Sequence, residues 1–384
     1  HSAMLDLEQQ FSRELKAHIG IASGVVVASR TGSEQHTEYT VTGDTVNLAS
    51  RLDDLAAPGE TLVSDAVHRV LARFAEFTAR GSTSIKGLVD PVQVWVFERL
   101  LSEENTTWQT QFIGRTAEIR QFRSIIRDTL ADNSGQALLL RGEPGIGKTR
   151  LTSEFANLAN QSGLSTHNVS MVDFGANRGV RTLLDLVASL LELPAKSSQE
   201  QRVNARARAL DRGYVSAENE IFLNDLLDLQ QPDQSRSAYE ALDGTARKLG
   251  IETTLSTLVV NLAHQNPRLI IVEDVHWADP STLETLAGAA LKLPDCPAIF
   301  VLTSRIEGGT LHQEWLSSLR GCPLTTIDLQ SLRHDDAMQL ASSLSDSDTA
   351  SLESIVERAD GNPLFLEQLI GGLSIYQGDE LPDT

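Results

Sequence analysis

Residues 142–149 read Gly142-Glu143-Pro144-Gly145-Ile146-Gly147-Lys148-Thr149. No other segment restricts the fold as much. The octapeptide satisfies every fixed position of G-x-x-x-x-G-K-[ST]. Its glycines let the backbone curl until successive N–H groups face one anion, and a following helix adds its positive end. Such a loop needs a strand before it and a helix after it, and both are readable. Gln136–Leu140 is an apolar strand, and Arg150–Ala159 is a helix with Leu151, Phe155 and Leu158 on one face. The competing reading is a chance glycine turn, which the complete pattern in this context sets aside. Lys148 is expected to bridge the outer phosphates of a nucleotide and Thr149 to offer its hydroxyl to Mg²⁺. Glu143, Pro144, Ile146 and Arg150 complete the expected binding segment.

A second segment, Arg268–Asp274, reads R-L-I-I-V-E-D. An apolar strand ending in two carboxylates beside such a loop is suited to holding Mg²⁺ with one and polarising water with the other. The order Glu273 then Asp274 leaves that division open, so either is assigned to the metal, and Asp274 is favoured as the catalytic partner. His276 follows and is read as packing or capping in preference to relaying protons near phosphate. Asp279 before Pro280 is read as a helix cap. Val301–Arg305 ends a third apolar strand in polar and cationic residues. Arg305 or Ser304 there is expected to report a terminal phosphate, against the alternative of a surface arginine.

Strand and helix patterns alternate along most of the 384 residues. This predicts a parallel sheet covered on both faces. At about 150 residues per domain the length suits two or three domains. Composition breaks fall at 101–111 and after Arg305. The predicted organisation is 1–100, a linker at 101–111, a sheet domain at 112–306 with a helical insert around 175–265, and a helical lid at 307–384. In the first hundred residues, 17–28 read as strand, bend, strand. Thr45–Ala56 reads as a helix carrying Leu48, Leu52 and Leu55, and Val92–Phe97 as a strand.

The formal charge of −20 and the absence of a basic cluster argue against bulk nucleic-acid or anionic-membrane binding. Two cysteines, Cys296 and Cys322, make no disulfide framework. No apolar run approaches the ~18 residues of a membrane span, and no signal peptide is evident. A soluble, cytoplasmic protein is expected. His1-Ser2-Ala3-Met4 resembles a cloning scar and is left out of fold reasoning.

With these motifs in order, 112–384 resembles the signal-transduction ATPases with numerous domains, the STAND class of P-loop NTPases. It is close to the AAA-type modules found beside bacterial cyclase domains and in large transcriptional regulators. The resemblance rests on FIGRTAEI at 112–119, GEPGIGKT at 142–149, LIIVEDVHWADPSTLETL at 269–286, LTSR at 302–305 and GNPLFLEQL at 361–369. It implies an α/β fold with sheet order 5-1-4-3-2 and a helical lid. It also implies Pro363 near the adenine, Phe365 and Leu366 in the lid core, and the Phe112–Arg115 turn near the base. ATP and ADP with Mg²⁺ would be the ligands, ADP holding the lid closed and hydrolysis being slow. Sensor or repeat domains normally follow, so they are expected partners absent from this chain.

Residues 18–98 resemble the C-terminal half of a class III nucleotide cyclase domain, through HIGIASGVVVAS, EYTVTGDTVNLASRL, PGETLVSDAV and IKGLVDPVQVWVFE. The resemblance implies a truncated α+β domain. Asn47 and Arg51 would orient ribose and stabilise α-phosphate charge, Lys86 would contact the triphosphate, and Thr40 would select the base. Asn47 and Arg51 share a helix face by their i, i+4 spacing. The metal-binding aspartates of that family lie in the other half, so these four residues are read as a vestigial site. Truncation by cleavage and loss in nature both remain open, and a homodimer through this half is possible.

Three functions therefore stand. The favoured one is an ATP-binding switch with slow hydrolysis that regulates an attached output. The alternatives are an adenylate cyclase and a non-hydrolysing nucleotide-binding scaffold.

Overall fold

The computed structural model describes residues 16–24, 26–33, 36–72, 75–84, 91–100, 112–171, 178–194, 197–306, 315–345 and 349–373. The chain divides into two compact units, His1–Gln109 and Thr110–Thr384.

In the first unit the elements run β1 (Ile19–Ile21), β2 (Val27–Ser33), β3 (His36–Thr42), α1 (Asp44–Leu55), β4 (Thr61–Ser64), α2 (Asp65–Leu71), β5 (Ala75–Thr83) and β6 (Val92–Leu100). Four strands form a mixed sheet in the order β1-β4-β6-β5, and β2 pairs with β3 in a separate antiparallel hairpin. Leu52 of α1 packs on Leu62 and Val94 of the sheet, with Leu48 partly covered. Leu55 of the predicted apolar stripe instead stands exposed. It lies at the helix end, where little of the sheet is left to cover it.

The second unit is built on a five-stranded sheet. Its strands are β7 (Gln136–Arg141), β8 (Ser165–Ser170), β9 (Arg268–Glu273), β10 (Ala298–Ser304) and β11 (Leu324–Asp328). Their order is β11-β7-β10-β9-β8, with every pairing parallel. Counted within this unit, that is the expected 5-1-4-3-2. Helices on both faces explain why the strands are continuously apolar. Leu138, Leu140, Ile271 and Val301 point to one face, against Phe122 and Ile126 of α3 (Thr116–Asp132) and Leu151 and Phe155 of α4 (Lys148–Gln161). Leu139, Ile270, Val272 and Phe300 point to the other. There they meet α5 (Arg178–Leu190), α9 (Gly244–Gln265) and α10 (Pro280–Ala290), with α6 (Gln199–Asp211) and α7 (Glu220–Leu226) behind. A further helix, α8 (Asp233–Glu240), precedes α9. Asp279 caps α10 as expected, accepting from the Thr282 N–H at 3.0 Å with Pro280 at the first helical position.

The boundary expected after 306 is corrected. β11 lies beyond it and pairs with β7, clamped by Arg141, whose Nε and Nη2 donate to the two carboxylate oxygens of Asp328 at 2.6 and 2.8 Å. The sheet therefore runs to Asp328, and the helical lid begins with α11 (His334–Leu344), followed by α12 (Thr349–Ala359) and α13 (Pro363–Leu373). The lid has its own core of Leu340, Ile355, Val356, Leu366 and Ile370, which Ile113 joins. Phe365 was expected in that core and is 52% exposed, whereas Leu366 is 1% exposed. One residue turns a helix by about 100°, so Leu366 and Ile370 share the inner face and Phe365 does not. Among the described residues no helix is long and apolar enough to cross a membrane.

Candidate functional site

The loop 142–147 joins the C-terminal end of β7 to α4. Gly145 and Gly147 have φ of +78° and +96°, which side chains of L-residues rarely adopt. Gly147 is the N-cap of α4, so Lys148 and Thr149 open the helix. The Gly142 N–H donates to the Ser304 carbonyl at 3.2 Å, tying the loop to the end of β10. Ile146 is buried in the core against the sheet and anchors the loop from below. Glu143 and Pro144 are exposed.

The Lys148 ammonium donates to the carbonyls of Gly142 at 2.8 Å and Glu143 at 3.0 Å. Burial pushes its pKa below the ordinary lysine value. The Asp274 carboxylate opposes that shift, the Arg305 guanidinium reinforces it, and Glu273 opposes it. These four charged groups therefore share one region.

β9 carries Glu273, 4% exposed, to the start of α4. Its two carboxylate oxygens are both held: Thr149 Oγ1 donates to Oε2 at 2.7 Å, and Thr152 Oγ1 to Oε1 at 2.8 Å. Asp274 differs. It sits one residue past the strand with φ +58°, and its side chain is 40% exposed. Its backbone N–H donates to Thr303 Oγ1 at 2.9 Å, and its carboxylate lies 3.8 Å from His276 Nδ1. The two carboxylates left open by sequence thus have separate settings, one locked against the helix start and one open beside it. His276 packs on Trp277 with ring centroids 4.7 Å apart. The Arg305 guanidinium lies over the Trp277 ring at 5.1 Å. Ser304 is fully buried and acts through its backbone carbonyl.

Arg150 forms an ion pair with Glu154 at 3.3 Å and lies over the Phe112 ring at 5.6 Å. Arg115 is in the left-handed region at φ +57°, and its Nη2 donates to the Ile146 carbonyl at 3.1 Å. From the lid, Pro363 begins α13 and its ring faces Gly147, where an added Cβ would meet Pro363 Cγ at 3.9 Å. Asn362, 7% exposed, donates from Nδ2 to the Pro144 carbonyl at 3.0 Å.

Sequence reading missed Thr152, Thr303 and Asn362. Thr152 stands three residues after Thr149 on one helix face, a spacing that signals a shared partner. Thr303 was visible as a polar residue closing an apolar strand. Asn362 before Pro363 signals a helix start locally, and nothing local signals its contact with the loop.

In the first unit Asn47 and Arg51 are exposed on α1, and Arg51 Nη1 donates to Asp54 at 3.3 Å. Thr40 lies on β3 opposite Ser29. Lys86 falls outside the described residues.

The "AAA ATPase domain" family matches residues 111–302, half of the chain, and the "Adenylate and Guanylate cyclase catalytic domain" family matches 2–99. An uncharacterized protein of Rhizobium meliloti is 26% identical over 97% of this chain and 36% of its own length. Mouse adenylate cyclase type 10 is 22% identical over 78% of this chain and 19% of its own length. The chain thus spans about a third and about a fifth of these two relatives. Among solved structures, the ORC2 protein of Aeropyrum pernix in its ADP form is similar, with a TM-score of 0.42 and 15% identity over 69% of this chain and 63% of that one. An AAA-type nucleotide-binding module thus follows a cyclase-type region, and the chain belongs to the AAA ATPase domain family.

Proposed function

We propose that the second unit is an ATP-binding switch that hydrolyses Mg·ATP slowly and regulates an attached output. The observation that carries the reading is the direct contact between Thr149 at the loop's end and Glu273 at the end of β9, 2.7 Å apart. It joins the two halves of a phosphate and metal site into one. The phosphates would lie against the amides of 143–149 and the start of α4, with Lys148 leaving its carbonyls to meet them.

The donor set suits Mg²⁺. Among the described residues no cluster of three or more His, Cys, Asp or Glu gathers that could hold a metal. A cation at Thr149 and Glu273 would therefore take its remaining ligands from phosphate and water, which is magnesium's habit. It would supply neutralisation of charge on the outer phosphates. Asp274, open and in the same charged region as Lys148, would orient water. Arg305 would meet a terminal phosphate, and Pro363 would lie by the base. ATP over GTP and the switch between lid states rest on the resemblance to STAND proteins, and a cytoplasmic location on the two cysteines and the lack of a readable signal peptide or apolar span.

The second reading, a nucleotide cyclase, is favoured by the match of 2–99 to cyclase catalytic domains and by the exposed Asn47–Arg51 face. The deciding experiment incubates the chain with Mg·ATP beside Lys148→Ala and Asn47→Ala and resolves the products by chromatography. ADP formation lost in K148A is the expected result. Cyclic AMP lost in N47A and kept in K148A would replace the switch reading with the cyclase one. Tight nucleotide binding with neither product would establish the scaffold. Unchanged nucleotide binding in K148A would overturn the site assignment.

A further inference from the structure

Five consecutive carbonyls of the phosphate loop, from Gly142 to Ile146, each accept a hydrogen bond. Lys148 serves those of Gly142 and Glu143. Asn362 Nδ2 serves Pro144 at 3.0 Å, the Leu364 N–H serves Gly145 at 3.3 Å, and Arg115 serves Ile146 at 3.1 Å. Two of these five hydrogen bonds come from the lid, 218 residues away for Asn362.

In a trans peptide the carbonyl of one residue and the N–H of the next point to opposite sides of a rigid plane, and no cis bond occurs among the described residues. Fixing a carbonyl on the outer side therefore aims the following N–H inward. The Pro144 carbonyl controls the Gly145 N–H in this way. Glycine at 145 is free to rotate, so the loop does not set this orientation by itself. The approach is close as well: a Cβ on Gly145 would stand 2.8 Å from Leu364 Cβ and 2.9 Å from Asn362 Oδ1.

Asn362 has the chemistry for both sides of the contact. Its Oδ1 accepts from the N–H groups of Leu364 at 3.1 Å and Phe365 at 3.4 Å, closing the first turn of α13. Its Nδ2 donates to the loop. The amide orientation is fixed, because the backbone N–H groups require an acceptor and the Pro144 carbonyl a donor. An aspartate could do only the first.

We propose that Asn362 is a positioning residue for phosphate binding, turning the Gly145 N–H toward the anion so that the cradle is complete only when the lid is docked. Nucleotide and lid docking then strengthen each other by the same factor. This inference rests on the nucleotide-site reading above.

The test uses the full chain carrying Asn362→Asp, Asn362→Ala or Lys148→Ala, with Mg·ADP as the probe. Asp caps helices as well as Asn does, so a capping role alone would leave N362D like the wild type. The expected result is that N362D and N362A both lose about tenfold in ADP affinity. Both also exchange the amides of 145–147 faster without nucleotide, while α13 keeps its protection in N362D. Wild-type affinity or wild-type loop exchange in N362D overturns the proposal. Wild-type affinity in K148A instead overturns the nucleotide-site reading, and is distinguishable because loop exchange in N362D would still be fast.

Discussion

The Thr149 hydroxyl donates to Glu273 Oε2 across 2.7 Å, joining the first turn of α4 to the last residue of β9 before any ligand is considered. Thr152 holds the other oxygen of the same carboxylate from one turn further along. Glu273 is therefore aimed by two hydroxyls on one helix face, whereas the Asp274 carboxylate has His276 Nδ1 at 3.8 Å.

Glu273→Gln keeps an oxygen that can accept from Thr149 but removes the negative charge. Affinity for ADP without magnesium is expected to hold or rise, while the gain on adding magnesium falls about tenfold. Titration calorimetry with and without the metal reads both numbers. An undiminished magnesium effect would move the metal to Asp274.

Thr152→Val preserves shape and leaves Glu273 Oε1 buried without its donor. Losing a hydrogen bond to a charged group is expected to cost about 1–3 kcal/mol of stability. Urea unfolding at neutral pH measures it, and a cost below that range would mean that water takes the hydroxyl's place.

His167 on β8 is buried, and its Nε2 accepts from Arg268 Nη1 at 2.6 Å. Burial first, and then the Arg268 charge, push its pKa down to about 4. Its unfolded value is near 6.5, so between those values the unfolded chain binds the proton and the folded chain does not. The contribution is fully present above about pH 6.5 and is lost as pH falls toward about 4, about 3 kcal/mol in all. Unfolding free energies of the wild type should therefore fall more steeply than those of His167→Gln across this window. Parallel curves would contradict the assignment.

The two neighbours on α13 should respond differently to truncation. Leu366→Ala empties part of the lid core and is expected to cost about 2–5 kcal/mol. Phe365→Ala removes an exposed ring and should stay within about 0.5 kcal/mol. Thermal unfolding of both variants checks this, and equal losses would place Phe365 back in the core.

Much of this was readable before the structure. The loop 142–149 encodes its own surroundings, because its glycines and its Lys-Thr ending work only between a strand and a helix. The alternation of strands and helices after it predicted a parallel sheet, and the order 5-1-4-3-2 came from the resemblance to STAND proteins. Cap chemistry identified Asp279. The failures have physical causes. Pro363-Leu364-Phe365-Leu366 is apolar throughout, so only packing could say which side chains turn inward. β11 has two threonines and one neighbouring strand, so Thr325–Leu329 reads only as a weak strand, and the boundary expected after 306 left it with the lid. The contact of Asn362 with the loop is set by the path of the chain through the lid, and no local pattern encodes such a distance.

Strand order also bears on how the chain is made. β7, which leads into the phosphate loop, lies between β10 and β11. Both are synthesised long after it, and the Arg141–Asp328 clamp spans 187 residues. During synthesis β7 therefore waits with both edges unpaired, an apolar template for any other strand in reach. A fragment ending before Leu324 would still leave one edge open. The strand that leads into the phosphate loop is thus the last to be enclosed, and ribosome-bound chains that stall between β9 and β11 should be the ones that most need a chaperone.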